Sequence, residues 1–302
     1  MHVVLLGTAA GGGFPQWNCW CPTCRVGRTA PHRASKRSQS SVAVSLDGER
    51  WFLLNASPDV REQLDCLPGP VPVGTRHVAV QGIVTTDAEL DHTLGIVLLR
   101  EARHLQLYTT RAVRRILERD SRILPLTQAF AQVEVVEMPL EAEVPLSYRD
   151  GRPSGLTILP FGVPAGPPRF AGEDTPGHTV GLILRDQSGG GSCAYVPGCG
   201  GLDQPLLQRL GETDLLLFDG TFWTDDELIS LGIGDRRAQE MDHQPVSGPS
   251  GSLSQLAGLA RPTKVYTHIN NTNPMLVDGS PERAQVEQAG IVVGYDGLSF
   301  SL

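Results

Sequence analysis

The chain has 302 residues, a formal net charge of −8, 40% apolar and 19% charged residues. Such a length buries a substantial core, and the acidic balance argues against nucleic acid as a main partner, because phosphate binding needs concentrated Lys and Arg. No apolar run approaches the roughly 18–20 residues of a membrane span, so a cytoplasmic protein without a span is expected.

Residues 3–6 read as a first strand; the opening is too short and lacks the basic leader of a signal peptide. The run Gly7-Thr8-Ala9-Ala10-Gly11-Gly12-Gly13 follows. It is not followed by Gly-Lys-Ser/Thr, and Phe14-Pro15 does not open a helix, so it reads as close backbone approach to a pocket rather than a phosphate loop. Next comes Cys19-Trp20-Cys21-Pro22-Thr23-Cys24. Three thiolates at this spacing wrap a tetrahedral metal, which predicts a structural zinc loop at about residues 18–25. One ligand is missing, and His32 is the nearest in the chain. Cys66, Cys193 and Cys199 have no such spacing and read as buried apolar residues or site neighbours; with no export signal, disulfides are not expected. Arg25, Arg28, Arg33, Lys36 and Arg37 read as a solvated basic loop beside the metal site, with an anion contact as the alternative.

Residues 41–46 and 51–55 predict a hairpin turned at Asp47-Gly48, and Ser57-Pro58 opens a short helix to residue 64. A buried strand over 77–85 runs into Thr85-Thr86-Asp87-Ala88-Glu89-Leu90-Asp91-His92, followed by a helix over 93–103. Strands at 105–108 and 133–136 flank a helix over 111–119. The Pro- and Gly-rich middle, about 141–175, predicts irregular surface chain. Strands then follow at 180–184, 194–196, 215–218 and 264–267, with a final helix over 281–289 and a strand over 291–293. The alternation predicts a layered α/β fold, read as a single domain over residues 1–302 with two sheet-and-helix halves.

The ionisable residues gather at strand ends: the group Asp87, Glu89, Asp91 and His92, then His178, Asp219 and His268, each read as falling just after a strand. Layered α/β folds collect their sites at the carboxyl ends of strands, so these segments are expected to meet in one pocket. A carboxylate ending an apolar strand, as Asp219 does, is costly to bury without a partner.

The order Asp87-Ala88-Glu89-Leu90-Asp91-His92, then Gly177-His178-Thr179-Val180-Gly181, then Asp219, then Thr267-His268, resembles the metallo-β-lactamase superfamily. That superfamily typically carries His-x-His-x-Asp-His at the first position, where this chain has Asp87 and Glu89. The departure, with Gly11-Gly12-Gly13-Phe14-Pro15-Gln16-Trp17-Asn18-Cys19 and Thr267-His268-Ile269-Asn270-Asn271-Thr272-Asn273-Pro274, is similar to the B family of pyrroloquinoline quinone (PQQ) biosynthesis proteins. The resemblance implies a four-layer αββα sandwich. It also implies an active-site metal held by Asp91, His92 and His268, with Asp219 as a further ligand. That metal is Fe(II), with zinc or manganese as alternatives, in a ligand set suited to oxygen chemistry. The implied activity is an Fe(II)- and O2-dependent hydroxylase acting on the tyrosine-derived ring of a cross-linked Glu-Tyr precursor, with Asp87, Glu89 and His178 facing the substrate. Phosphodiesterases of the superfamily close a similar cysteine site with a late histidine, which implies His243 beside Cys19, Cys21 and Cys24. A two-metal hydrolase of phosphodiesters or thioesters, and a non-catalytic carrier of PQQ, are the competing readings; a homodimer is left open.

Overall fold

The structure is a computed structural model and describes residues 1–69, 75–172 and 174–302. Six strands build the first half: β1 (His2–Gly7), β2 (Ser41–Ser45), β3 (Trp51–Leu54), β4 (Val80–Val84), β5 (His104–Thr109) and β6 (Gln132–Glu137). Seven build the second: β7 (Val144–Ser147), β8 (Pro153–Gly162), β9 (Val180–Asp186), β10 (Ser192–Val196), β11 (Leu215–Asp219), β12 (Thr263–Thr267) and β13 (Ile291–Val293). The last strand, β14 (Ser299–Ser301), returns to pair with β1, giving the orders β14-β1-β2-β3-β4-β5-β6 and β13-β12-β11-β10-β9-β8-β7. In each sheet an antiparallel set passes into a parallel one, at β3–β4 and at β10–β11.

Side-chain alternation explains the layering. In β11, Leu215 and Leu217 join the core between the sheets, while Leu216 and Phe218 face the helices outside. Val3 and Leu5 of β1 likewise face the inner core, and Val4 and Leu6 the outer helices. Helices Leu90–Leu98 and Arg111–Arg119 cover the first sheet through Ile96, Val113, Ile116 and Leu117. Helices Gln204–Gly211, Ser252–Ala257 and Pro281–Gln288 cover the second through Leu206, Leu210, Leu256 and Val286. Two sheets flanked by helices form the αββα sandwich.

Several elements differ from the sequence expectation. The middle segment is not irregular surface chain: β7 and the ten-residue β8 lie within it. Prolines obscure the strands here, but Pro145 lies on the edge strand β7 and Pro153 is the first residue of β8, positions where a missing N–H is tolerated. The helix after β4 starts at Leu90, so Asp91 and His92 sit on its first turn. A further helix occupies Ile123–Gln128. The Leu90–Leu98 helix lies against the chain after β3, where Gly95 N donates to Ala56 O (2.9 Å). A Cβ at Gly95 would stand 2.3 Å from Ser57 O, so only glycine permits this approach.

Candidate metal centre and pocket

The carboxyl ends of β4, β11 and β12 bring three histidines together. The His92 and His268 rings lie 5.0 Å apart, and His243 stacks on His268 at 5.4 Å. Each ring has its Nδ1 engaged. His92 Nδ1 donates to the Asp87 carboxylate (2.8 Å) and His243 Nδ1 to Asp219 Oδ2 (2.7 Å). His268 Nδ1 lies 2.8 Å from Thr221 Oγ1, whose hydroxyl donates to Asp219 Oδ1 at 2.6 Å. This places a proton on each Nδ1 and turns each Nε2 outward. His268 adopts φ 53°, a left-handed conformation uncommon outside glycine, which aims its ring at the pocket.

Asp91 Oδ2 lies 3.3 Å from His268 Nε2 and 4.0 Å from His92 Nε2. His92 Nε2 is buried and has no hydrogen-bond partner among the described residues. A buried polar atom without a partner is costly, and a cation between His92, His268 and Asp91 removes that cost. One ligand atom from each of the three lies within 4.8 Å of the others, so the donor set fits a metal ion.

Electrostatics point the same way. Burial alone would depress the His92 imidazole, yet Asp87 and Asp91 raise it to about 9. Asp91 is held well below the usual carboxylate range, its burial outweighed by His92 and His268. Protonated His92 thus supplies the positive charge that a metal would bring. Glu89 is pushed up to about 7 by burial, reinforced by Asp87 and Asp91.

Asp219 is fully buried and accepts from Cys199 N, Thr221 N, Thr221 Oγ1 and His243 Nδ1. It lies within ligand distance of His243 and His268, but four donors fill its lone-pair sites. In this arrangement it holds the two histidines in place rather than offering a free ligand atom.

Three sequence expectations change here. His243 does not stand with the cysteines; buried Asp219 captures its Nδ1 and turns the ring into the pocket. Asp87 does not face substrate alone: it holds His92, and also accepts from Thr86 Oγ1 and Glu89 N. His178 turns away, its Nε2 paired with Asp174 at 2.7 Å, and Thr179 lines the pocket in its place. The pocket, about 310 Å³, is further lined by Gly11, Gly166, Arg169, Thr221, Phe222, Arg236 and Asp242. Thr221 was findable from its place after the β11 strand end. Arg169 and Arg236 carry no local signal. Gly11 keeps the role expected of the glycine run, since a Cβ there would lie 3.3 Å from Asp91 Oδ2.

Three of the cysteines form a separate cluster; of the others, Cys193 and Cys199 are buried, whereas Cys66, expected to be buried, is exposed. One sulfur from each of Cys19, Cys21 and Cys24 lies within 4.8 Å of the others, and no histidine joins that group among the described residues; His32 is exposed. Cys21 caps helix Pro22–Thr29, its Sγ accepting from Cys24 N. The hydrogen bond from Cys21, with burial opposing and Asn271 Nδ2 assisting, pulls Cys24 down to about 5. A thiolate is the metal-binding form of the group, so this trio also fits a metal ion. Of the basic residues nearby, Arg28 donates to Cys19 O and Gln16 O, and Arg37 is buried with its Nη1 on Thr8 Oγ1 and Gly294 O. These two brace the fold and are not part of a solvated loop.

Residues 50–269 match the beta-lactamase superfamily domain. Coenzyme PQQ synthesis protein B of Methylobacterium radiotolerans is 41% identical over the full length of both chains. The crystal structure of Zn(2+)-bound PqqB from Methylobacterium extorquens superposes with a TM-score of 0.88, at 37% identity and 100% coverage of both chains. A diphosphatase from the PhnP family shares the fold at a TM-score of 0.68 and 21% identity, covering 100% of this chain and 97% of that one. With that full-length likeness, the chain belongs to the coenzyme PQQ synthesis protein B family of the beta-lactamase superfamily.

Proposed function

We propose that this protein acts in PQQ synthesis as a metal- and oxygen-dependent hydroxylase of the tyrosine-derived ring in a cross-linked Glu-Tyr precursor. The observation that carries the reading is the pair of Nε2 atoms, His92 and His268, facing Asp91 Oδ2, with His92 Nε2 buried and unpartnered. Two imidazoles and one carboxylate with open positions suit non-haem iron. Iron(II) bound there would supply the redox centre for inserting one oxygen atom into the ring, the other leaving as water with two electrons from a reductant. Asp87 fixes the His92 tautomer, and Thr221 and Asp219 fix His268. Glu89, raised to about 7 on the pocket wall, is suited to exchange a proton with the substrate phenol.

A two-metal hydrolytic reading finds less support. The positions that would supply two further imidazoles are Asp87 and Glu89, and His178 is bound to Asp174. The cysteine trio is proposed as a structural zinc site, with Asn271 O, 3.7 Å from both Cys21 and Cys24 Sγ, beside it.

The test is anaerobic reconstitution with Fe(II), followed by oxygen uptake and product mass with the cross-linked dipeptide. Oxygen consumption with a hydroxylated product, lost in a His92→Ala/His268→Ala double variant, is expected. Normal turnover by that double variant, or equal turnover with zinc and no oxygen, would defeat the proposal.

A further inference from the structure

Resting on that reading of the pocket, we propose that Arg169 and Arg236 form a carboxylate-binding rim that selects an aromatic polycarboxylate. Both side chains line the pocket that holds His92 and His268. Neither guanidinium makes a hydrogen bond or salt bridge among the described residues. Arg237, next in the chain, is by contrast bound to Asp225 at 3.2 Å. What sets this pair apart is position: two arginines without an acid share the wall of one pocket, where an external anion can reach both.

Their backbones are held in position. Gly200 N donates to Pro164 O (2.6 Å), Thr179 Oγ1 to Gly166 O (3.1 Å) and Ala171 N to Pro168 O (2.8 Å), which pins the chain on both sides of Arg169. Arg237 N donates to Glu240 Oε2 (2.7 Å) and Ala238 N to Asp225 O (2.8 Å), which pins the chain directly after Arg236. Prior ordering of this kind lowers the entropic cost of binding.

The charge pattern fixes the ligand class. Asp87, Glu89, Asp91 and Asp242 also line the pocket, so a carboxylate directed at that wall is repelled unless a cation covers it. A ligand with an aromatic ring at the His92–His268 end and carboxylates directed to the arginines satisfies both groups of charges. Guanidinium recognises carboxylate through paired, charge-assisted hydrogen bonds. A neutral ligand would leave both arginines unused.

The experiment is a fluorescence titration of metal-loaded protein with PQQ, a tricarboxylate, and with its uncharged trimethyl ester. Wild type is expected to prefer the acid. Loss of each arginine should weaken PQQ binding about tenfold and Arg169→Gln/Arg236→Gln about a hundredfold, as expected for charge-assisted bonds. Ester affinity and metal content should not change. Wild type that binds the acid no better than the ester, or a double variant that binds PQQ as wild type does, overturns the rim. Absence of oxygen-dependent turnover alongside intact discrimination between acid and ester would defeat the hydroxylase reading alone.

Discussion

Replacing Asp87 by Asn tests whether this carboxylate serves the metal site through His92. Asp87 is buried and accepts from His92 Nδ1 at 2.8 Å, Thr86 Oγ1 at 2.6 Å and Glu89 N at 2.9 Å. The amide keeps volume and most hydrogen bonds but removes the charge that makes His92 a strong ligand. Loss of such a partner typically costs about 10–100-fold in metal affinity, or about 1.4–2.8 kcal/mol. The pH dependence gives a second readout. His92 stands at about 9 without a cation, so metal must displace its proton, and wild-type affinity should rise by about tenfold per unit up to that pH. In Asp87→Asn the rise should end at lower pH, because Asp87 is the leading upward influence on that imidazole. The assay is anaerobic competition of Fe(II), or Zn(II), against a chromophoric chelator from pH 6 to 10, with His178→Ala as control. Because His178 is bound to Asp174 outside the pocket, its variant should stay within about twofold of wild type, far short of the effect of an orienting partner. An unchanged affinity in Asp87→Asn, or an equal loss in His178→Ala, would refute the reasoning.

Buried Glu227 is raised to about 7 by desolvation, which its bonds from Thr272 Oγ1 and Trp223 N only partly offset. Its protonated form is therefore favoured in the fold: its contribution is full below the ordinary value of 4.5 and is lost as pH rises toward 7. The loss amounts to about 3 kcal/mol, so thermal melts of Glu227→Gln should gain on wild type across that window, and parallel curves would contradict the assignment. Cys24→Ser should remove one zinc per chain by elemental analysis and lower the melting temperature, while exposed Cys66→Ser changes neither; unchanged zinc in Cys24→Ser would exclude the trio as a zinc site.

The sequence by itself determined the strand ends at which the chemistry lies. Short apolar runs such as Leu215–Phe218, bounded by polar residues, read as buried strands, and the polar residue that ends each is then expected at the sheet's rim. Asp91, His92 and His268 are therefore legible as neighbours in one crevice before any coordinates are known. The cysteine trio is legible too, because its spacing is local. The sequence could not reveal which way a side chain turns once the strands converge. His243 lies 24 residues from Asp219, and only the closed fold shows that this buried acid takes its Nδ1. His178 precedes β9 instead of following a strand and turns its ring to Asp174, and Asp87 turns to His92 rather than to open space. Arg169 and Arg236 come from loops without any pattern. Hydrophobic periodicity encodes which residues are buried along one element, whereas the partner of a buried charge is chosen by desolvation and geometry among segments distant in the chain; only the tertiary structure decides that choice.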